Sequence, residues 1–186
     1  MSRIIAIEHL TLDGVMQAPG RADEDTRDGF DYGGWARATD DPEMQKVIGK
    51  SMLAGWSLLT GVQQPAHPVT QALTNVQKFV ISRDPGYKLS WANSILLAGD
   101  AAETVSRLKK EHDKTLIIFG SGLLVRSLMP LNLIDEYISQ IHPLVLGKGR
   151  CLFEKGSPFT KARLTDFVTT DTSVIIATYQ PVSKTA

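Results

Sequence analysis

TLIIFGSGLLVRSLMPLNLIDE, Thr115 to Glu136, joins two kinds of pattern through a glycine turn. Leu116 to Phe119 is a continuous apolar run, too short for a helix and containing the β-branched pair Ile117-Ile118, which reads as a strand buried on both faces. Such a strand belongs in the middle of a sheet. After Gly120-Ser121-Gly122, the residues Leu123, Leu124, Ser127 and Leu128 recur at helical spacing until Pro130. A strand-to-helix turn of this kind directs backbone N–H groups above the strand end, and glycine lets an anion approach closely. The same turn also serves packing alone, and a single Gly-x-Gly does not decide between a phosphate cradle and a packed βα corner.

Upstream, Asp100 caps a helix with Ala101, Val105, Leu108 and His112 along one face, and Lys109-Lys110 is expected on its solvated side. Gln77 to Ser82 and Ser94 to Leu97 read as strands, the first followed by an Arg83-Asp84-Pro85-Gly86 turn. Asp41 with Pro42 starts a helix that carries Met44, Val47, Ile48, Ser51 and Met52 on one face and ends near Gly55. Ser57 to Thr60 is a short strand closed by Gly61, and Pro68 to Asn75 a short helix. At the start, Arg3 to Leu10 is a strand that turns at Asp13-Gly14.

Between Gln17 and Asp41 seven acids stand against three arginines, the mark of a solvated loop. Phe30, Tyr32 and Trp35 lie inside it, so the loop either packs these rings or lays them over a flat ligand. Downstream, Tyr137 to His142 is a strand, and Arg163 to Thr169 and Ser173 to Gln180 are late strands with one wet face each, joined by Thr170-Asp171-Thr172. Alternating strands and helices followed by strand after strand give an α/β domain with a mainly parallel centre and an antiparallel edge. One domain is expected over residues 1–181, with a tail at 182–186.

The balance of 20 basic and 20 acidic residues offers no global field for nucleic acid or anionic membrane. No run of eighteen apolar residues occurs and the N-terminal apolar stretch is too short for a signal peptide, so a cytoplasmic location is expected. One cysteine, Cys151, and histidines scattered at 9, 67, 112 and 142 give no ligand spacing, so no metal is expected.

Three ordered stretches carry a resemblance. Thr11-Leu12-Asp13-Gly14 follows the first strand; Gly120-Ser121-Gly122 precedes a helix and Leu133-Ile134-Asp135-Glu136; and Pro143 to Gly149 leads into Leu152-Phe153. Together they resemble the reductase domain of bacterial riboflavin-biosynthesis enzymes and its dihydrofolate-reductase-like relatives, whose patterns are S-L-D-G, a Gly-Ser turn with L-x-D-E, and P-x-x-x-G-x-G-x-x-L-F. Phe30 to Trp35 is similar to an F-x-x-G-G-W found in several relatives.

That resemblance implies a dihydrofolate-reductase-like three-layer fold and hydride transfer from NADPH to a ribosylamino-uracil. It implies further that Gly120, Ser121, Gly122, Leu123 and Leu124 cradle the pyrophosphate, that Ser82 and Arg83 meet the adenosine phosphate, and that Leu12, Gly14 and Val15 flank the nicotinamide. Asp13 is then the candidate proton donor, and Gly61 begins a cofactor-binding segment. A homodimer is implied as well, in keeping with the apolar Pro143 to Leu146 and Cys151 to Phe153. After Gly61, however, relatives carry Arg-x-Thr, whereas this chain has Val62-Gln63-Gln64-Pro65. Two other readings follow: a reductase of another heterocycle such as dihydrofolate, with Glu43 as the acid available on the first long helix, and a ligand-binding protein that has lost its cofactor grip.

Overall fold

The structure, a computed structural model, describes residues 2–36, 42–43, 46–47, 56–60, 73 and 75–182. Gly61, most of the helix expected after Asp41 and most of the helix expected from Pro68 lie outside these residues; Pro42, Glu43, Lys46 and Val47 are helical. The chain divides into two compact units, Met1–Ala6 with Met52–Asp135, and Ile7–Ser51 with Glu136–Ala186. Eight strands are hydrogen-bonded in the order β4-β3-β2-β5-β1-β6-β8-β7, and β1 (Ile4–Thr11) contributes residues to both units.

In the first unit β2 (Trp56–Thr60), β3 (Lys78–Ser82), β4 (Ser94–Ala98) and β5 (Thr115–Phe119) run parallel, with Leu58 opposite both Ile117 and Lys78. Leu116, Ile117 and Ile118 are fully buried, as the unbroken apolar run requires of a central strand. Helix α1 (Ala101–Glu111) begins where the Asp100 carboxylate accepts from the N–H groups of Ala102 and Glu103. It ends at His112, whose ring meets Phe79 edge-on at 5.2 Å. Lys109 departs from the expected solvated position. Its ammonium donates to the Leu133 carbonyl at 2.9 Å and to Asp135 at 2.6 Å, and Asp135 also accepts from the Ile4 N–H at 2.7 Å. Asp135 thus ties the helix to the first strand. Helix α2 (Gly122–Leu128) follows β5 and buries Leu124, Val125 and Leu128.

In the second unit β6 (Glu136–His142), β8 (Ile175–Pro181) and β7 (Ala162–Thr169) are antiparallel, as expected for the late strands. β7 is exposed along nearly its whole length, with Phe167 at 63%, so the expected single wet face is corrected: among the described residues no layer covers either side of this edge strand. A register irregularity at Leu164/Asp166 bends it. Val15, Ala18 and Phe30 form a small buried cluster, with Trp35, Leu146 and Cys151 packed against it. Among the described residues no helix is long and apolar enough to cross a membrane.

Candidate functional site

In the second unit the Asp13 turn is a clasp. Thr11 closes it: its hydroxyl donates to Asp13 Oδ1 at 2.5 Å and accepts from the Val15 N–H at 2.9 Å. Gly14 sits at φ +79°, where an L side chain is disfavoured. The Asp13 carboxylate also accepts from the N–H groups of Leu146 (3.3 Å) and Gly147 (2.8 Å), so two motifs 134 residues apart are stitched together. The Thr11 hydroxyl and these backbone donors hold the Asp13 carboxyl below the usual carboxylate range. At neutral pH it is ionised, and it accepts hydrogen bonds rather than supplying a proton. Leu12 is 62% exposed on this turn, while Val15 is buried.

This geometry yields a direct expectation. Asp13→Ala should lower stability by about 1–2 kcal/mol, the exposed position damping the loss of several bonds. Asp13→Asn should lose part of that and leave any turnover within about threefold. Chemical denaturation and initial rates read both; an Asp13→Asn protein that is fully stable and fully inactive would restore the proton-donor role.

The acidic loop packs its rings. Phe30 is buried, and Trp35 donates its indole N–H to the Gln17 carbonyl at 2.7 Å and meets the His142 ring edge-on at 5.2 Å. Tyr32 remains half-exposed beneath the Lys148 ammonium, 4.5 Å from its ring centre. Gln17 is a hub: its amide nitrogen donates to the carbonyls of Asp25 and Arg27, and its amide oxygen accepts from the Arg150 N–H. A cavity of about 150 Å³ lies among Gln17, Arg27, Asp28, Phe30, Lys148, Gly149 and Arg150. Its cations are already engaged, Arg27 by Asp25, Arg150 by Asp28 and Lys148 by Asp31, so it offers an anion little attraction.

In the first unit the turn after β5 is left-handed at both Gly120 (φ +67°) and Ser121 (φ +74°). The N–H groups of Leu124 and Val125 donate to the Ser121 carbonyl, and no side chain caps the start of α2. Among the described residues no side chain therefore competes for the first amides of that helix. Gly122 and Leu124 are buried, and Leu123 is 47% exposed. Ser82 ends β3 and accepts the Asp84 N–H at its hydroxyl; Arg83 beside it is exposed and makes no ion pair among the described residues.

Three buried groups, Glu8, Gln140 and His142, and the partly buried His9 carry no role in the sequence reading. Glu8 on β1 and Gln140 on β6 are buried, and His9 Nδ1 lies 2.9 Å from His142 Nε2 across the same two strands. Burial pushes the Glu8 carboxyl up to about 8 and His142 down to about 4, leaving both uncharged at neutral pH. The available signal was the presence of Glu-His and Gln-Ile-His inside runs that otherwise read as central strands.

Comparison with known proteins agrees along the chain. Residues 3–176 match the family model of the RibD C-terminal domain. An uncharacterized Bacillus subtilis (strain 168) protein, YyaP, is 35% identical over 77 residues, which cover 41% of this chain and 40% of that relative's length. A protein assigned to riboflavin biosynthesis from Shewanella sp. PV-4 superposes with a TM-score of 0.68 at 16% identity, covering 97% of this chain and 99% of the other. Dihydrofolate reductase from Enterococcus faecalis, solved with NADP(H), gives a TM-score of 0.57 at 14% identity over 96% of each chain. The dihydrofolate-reductase-like α/β fold is thereby shown.

Proposed function

Because the chain belongs to the RibD C-terminal domain family, we propose that it is an NADPH-dependent reductase that delivers hydride to a small heterocycle of the ribosylamino-uracil type. The observation that carries this reading is the uncapped start of α2 behind two left-handed residues, Gly120 and Ser121. Amides without a side-chain cap suit a pyrophosphate, and Gly122 places no side chain in the way. When bound, the cofactor supplies the hydride, and the protein's share is position and electrostatics. Leu12, Gly14 and Val15 are assigned to the nicotinamide end, Ser82 and Arg83 to the adenosine phosphate. Arg83 is suited to that role because its guanidinium is exposed and makes no ion pair among the described residues.

Titration of NADPH and NADH against tryptophan fluorescence tests the reading. One charge-assisted contact is worth roughly 1.5–3 kcal/mol. Arg83→Ala should therefore weaken NADPH about ten- to a hundredfold and leave NADH almost unchanged, while Gly122→Val should weaken both alike. If neither cofactor binds folded protein at millimolar concentration, the second reading takes its place, a ligand-binding protein without a cofactor. The sequence Gly61-Val62-Gln63-Gln64, lacking the relatives' arginine, is the feature that favours it.

We further propose a homodimer. Val145 and Phe153 are 66% and 52% exposed, apolar surface that a second copy would cover. Light scattering at micromolar concentration should give about twice the 20.4 kDa chain mass; the monomer mass would exclude it.

A further inference from the structure

The carboxyl ends of β3 and β5 lie on one edge of the parallel sheet. Leu58 on β2 is level with both Lys78 and Ile117, so β3 and β5 rise on either side of β2 and finish at Ser82 and Phe119. Neighbouring strands stand about 4.8 Å apart, which puts these two ends about 10 Å apart across the sheet. The turn at Gly120 and Ser121 follows β5, and Arg83 follows β3; the adenosine half of a dinucleotide, from pyrophosphate to ribose, spans such a gap along the strand ends. The residue after Arg83 is an acid. Asp84 is exposed, and its place is fixed from two sides: its N–H donates to the Ser82 hydroxyl at 3.1 Å, and its Oδ1 accepts from the Gly86 N–H at 2.8 Å. The Gly99 N–H donates to the Ser82 carbonyl at 2.9 Å and anchors the same strand end to the end of β4. Among the described residues Asp84 makes no ion pair, with Arg83 or with any other cation. A fixed carboxylate without a cation partner thus stands one residue from the guanidinium assigned to the adenosine phosphate.

We propose that Asp84 is a specificity-determining residue for the cofactor: it opposes the 2′-phosphate of NADPH and so holds the preference for NADPH over NADH below what Arg83 alone would give. The inference rests on the reductase reading and on the assignment of this strand end to the adenosine phosphate. The two cofactors differ only in that group, a hydroxyl in NADH and in NADPH a phosphate bearing about −1.5 to −2 charge at neutral pH. Arg83 attracts the phosphate through a charge-assisted hydrogen bond, whereas a carboxylate at the same strand end repels it through space. The uncharged hydroxyl feels neither force strongly. Both side chains are exposed, so water screens the repulsion. It amounts to about three- to tenfold in affinity at low salt, less than the contact made by Arg83. An acid that served the turn alone would act differently, because its loss would loosen the strand end and weaken both cofactors together.

The test titrates NADPH and NADH by tryptophan fluorescence, once at low salt and once in about 0.5 M sodium chloride, where charges a few ångströms apart are largely screened. Asp84→Asn keeps a side-chain oxygen for the Gly86 N–H and removes the charge. At low salt it should tighten NADPH about three- to tenfold and leave NADH within about twofold, and at high salt the gain should fall below about twofold. The gain should persist when Arg83→Ala is also present, since the repulsion acts on the phosphate and not through the guanidinium. Asp84→Ala, which gives up the Gly86 bond, should still move the ratio of NADPH to NADH affinity in the same direction. Unchanged or weakened NADPH binding in Asp84→Asn would overturn the proposal. So would a gain that is equal for both cofactors, that high salt leaves undiminished, or that vanishes beside Arg83→Ala. Wild-type protein that binds both cofactors, with no shift in Asp84→Asn, removes this inference and leaves the reductase reading standing; wild-type protein that binds neither removes both.

Discussion

Glu8→Leu is expected to stabilise the protein above pH 7 and to flatten its stability profile between about pH 4.5 and pH 8. Burial raises the Glu8 carboxyl from 4.5 in the open chain to about 8 in the fold, with no hydrogen bond to offset it. Between those values the folded state holds a proton that the unfolded state releases, so stability falls as pH rises through the window. Each unit of difference corresponds to about 1.4 kcal/mol, which gives a penalty of about 3 kcal/mol at pH 7 and at most about 5 kcal/mol above pH 8. Leucine removes the titrating group, and its apolar bulk suits the buried strand. Urea midpoints measured at pH 4.5, 7 and 8.5 read the effect directly. Wild-type and variant curves should lie close at the lowest pH and diverge upward. Parallel curves would mean that Glu8 is solvated or paired in solution. A cost of this size at one position, kept in the centre of the sheet, is the kind of local conflict that functional sites tolerate.

What could be read from the chain depended on how far apart the determining residues lie. Thr115 to Leu128 was legible because the apolar run, the glycines and the helical spacing are local, and β5 and α2 follow them closely. Lys109 was misplaced although the signal was present: it stands four residues after Val105, on the same helical face, and Asp135 waits there. β7 could not be read as doubly exposed, because alternation reports which residues face apart and not whether a layer covers either side. The roles of Asp13 and Glu8 were out of reach for a different reason. The Asp13 carboxylate gains its partners from Leu146 and Gly147 after the chain has folded back, and Glu8 is enclosed only once β6 lies beside β1. Local pattern marks such positions as a turn and a strand; tertiary pairing decides what the side chains do there.

Gly149→Ala is expected to cost about 3–4 kcal/mol, whereas Gly147→Ala, two residues away in the same turn, should cost about 1 kcal/mol. Both glycines hold positive φ, +113° and +70°. They differ in what a side chain would meet. A Cβ on Gly147 has open space, while one on Gly149 would stand 2.7 Å from Phe30 Cε2 and 2.8 Å from Val15 Cγ1. Those two residues are the centre of the buried cluster, so neither yields without moving Ala18 or Trp35. If the turn lifts instead, it strains the bonds from the Arg150 N–H to Gln17 and from the Leu152 N–H to the Gly14 carbonyl. Either response is a loss. For a chain of this length each kcal/mol corresponds to about 2–4 °C, so Gly149→Ala should melt roughly 6–15 °C below wild type and Gly147→Ala within about 4 °C. Equal melting temperatures for the two variants would show that the Phe30 cluster is loosely packed. The expected inequality instead makes Gly149 the point at which the 147–150 turn is pressed onto Val15, and through it the point that fixes the height of Leu12 and Gly14 on the turn assigned to the nicotinamide.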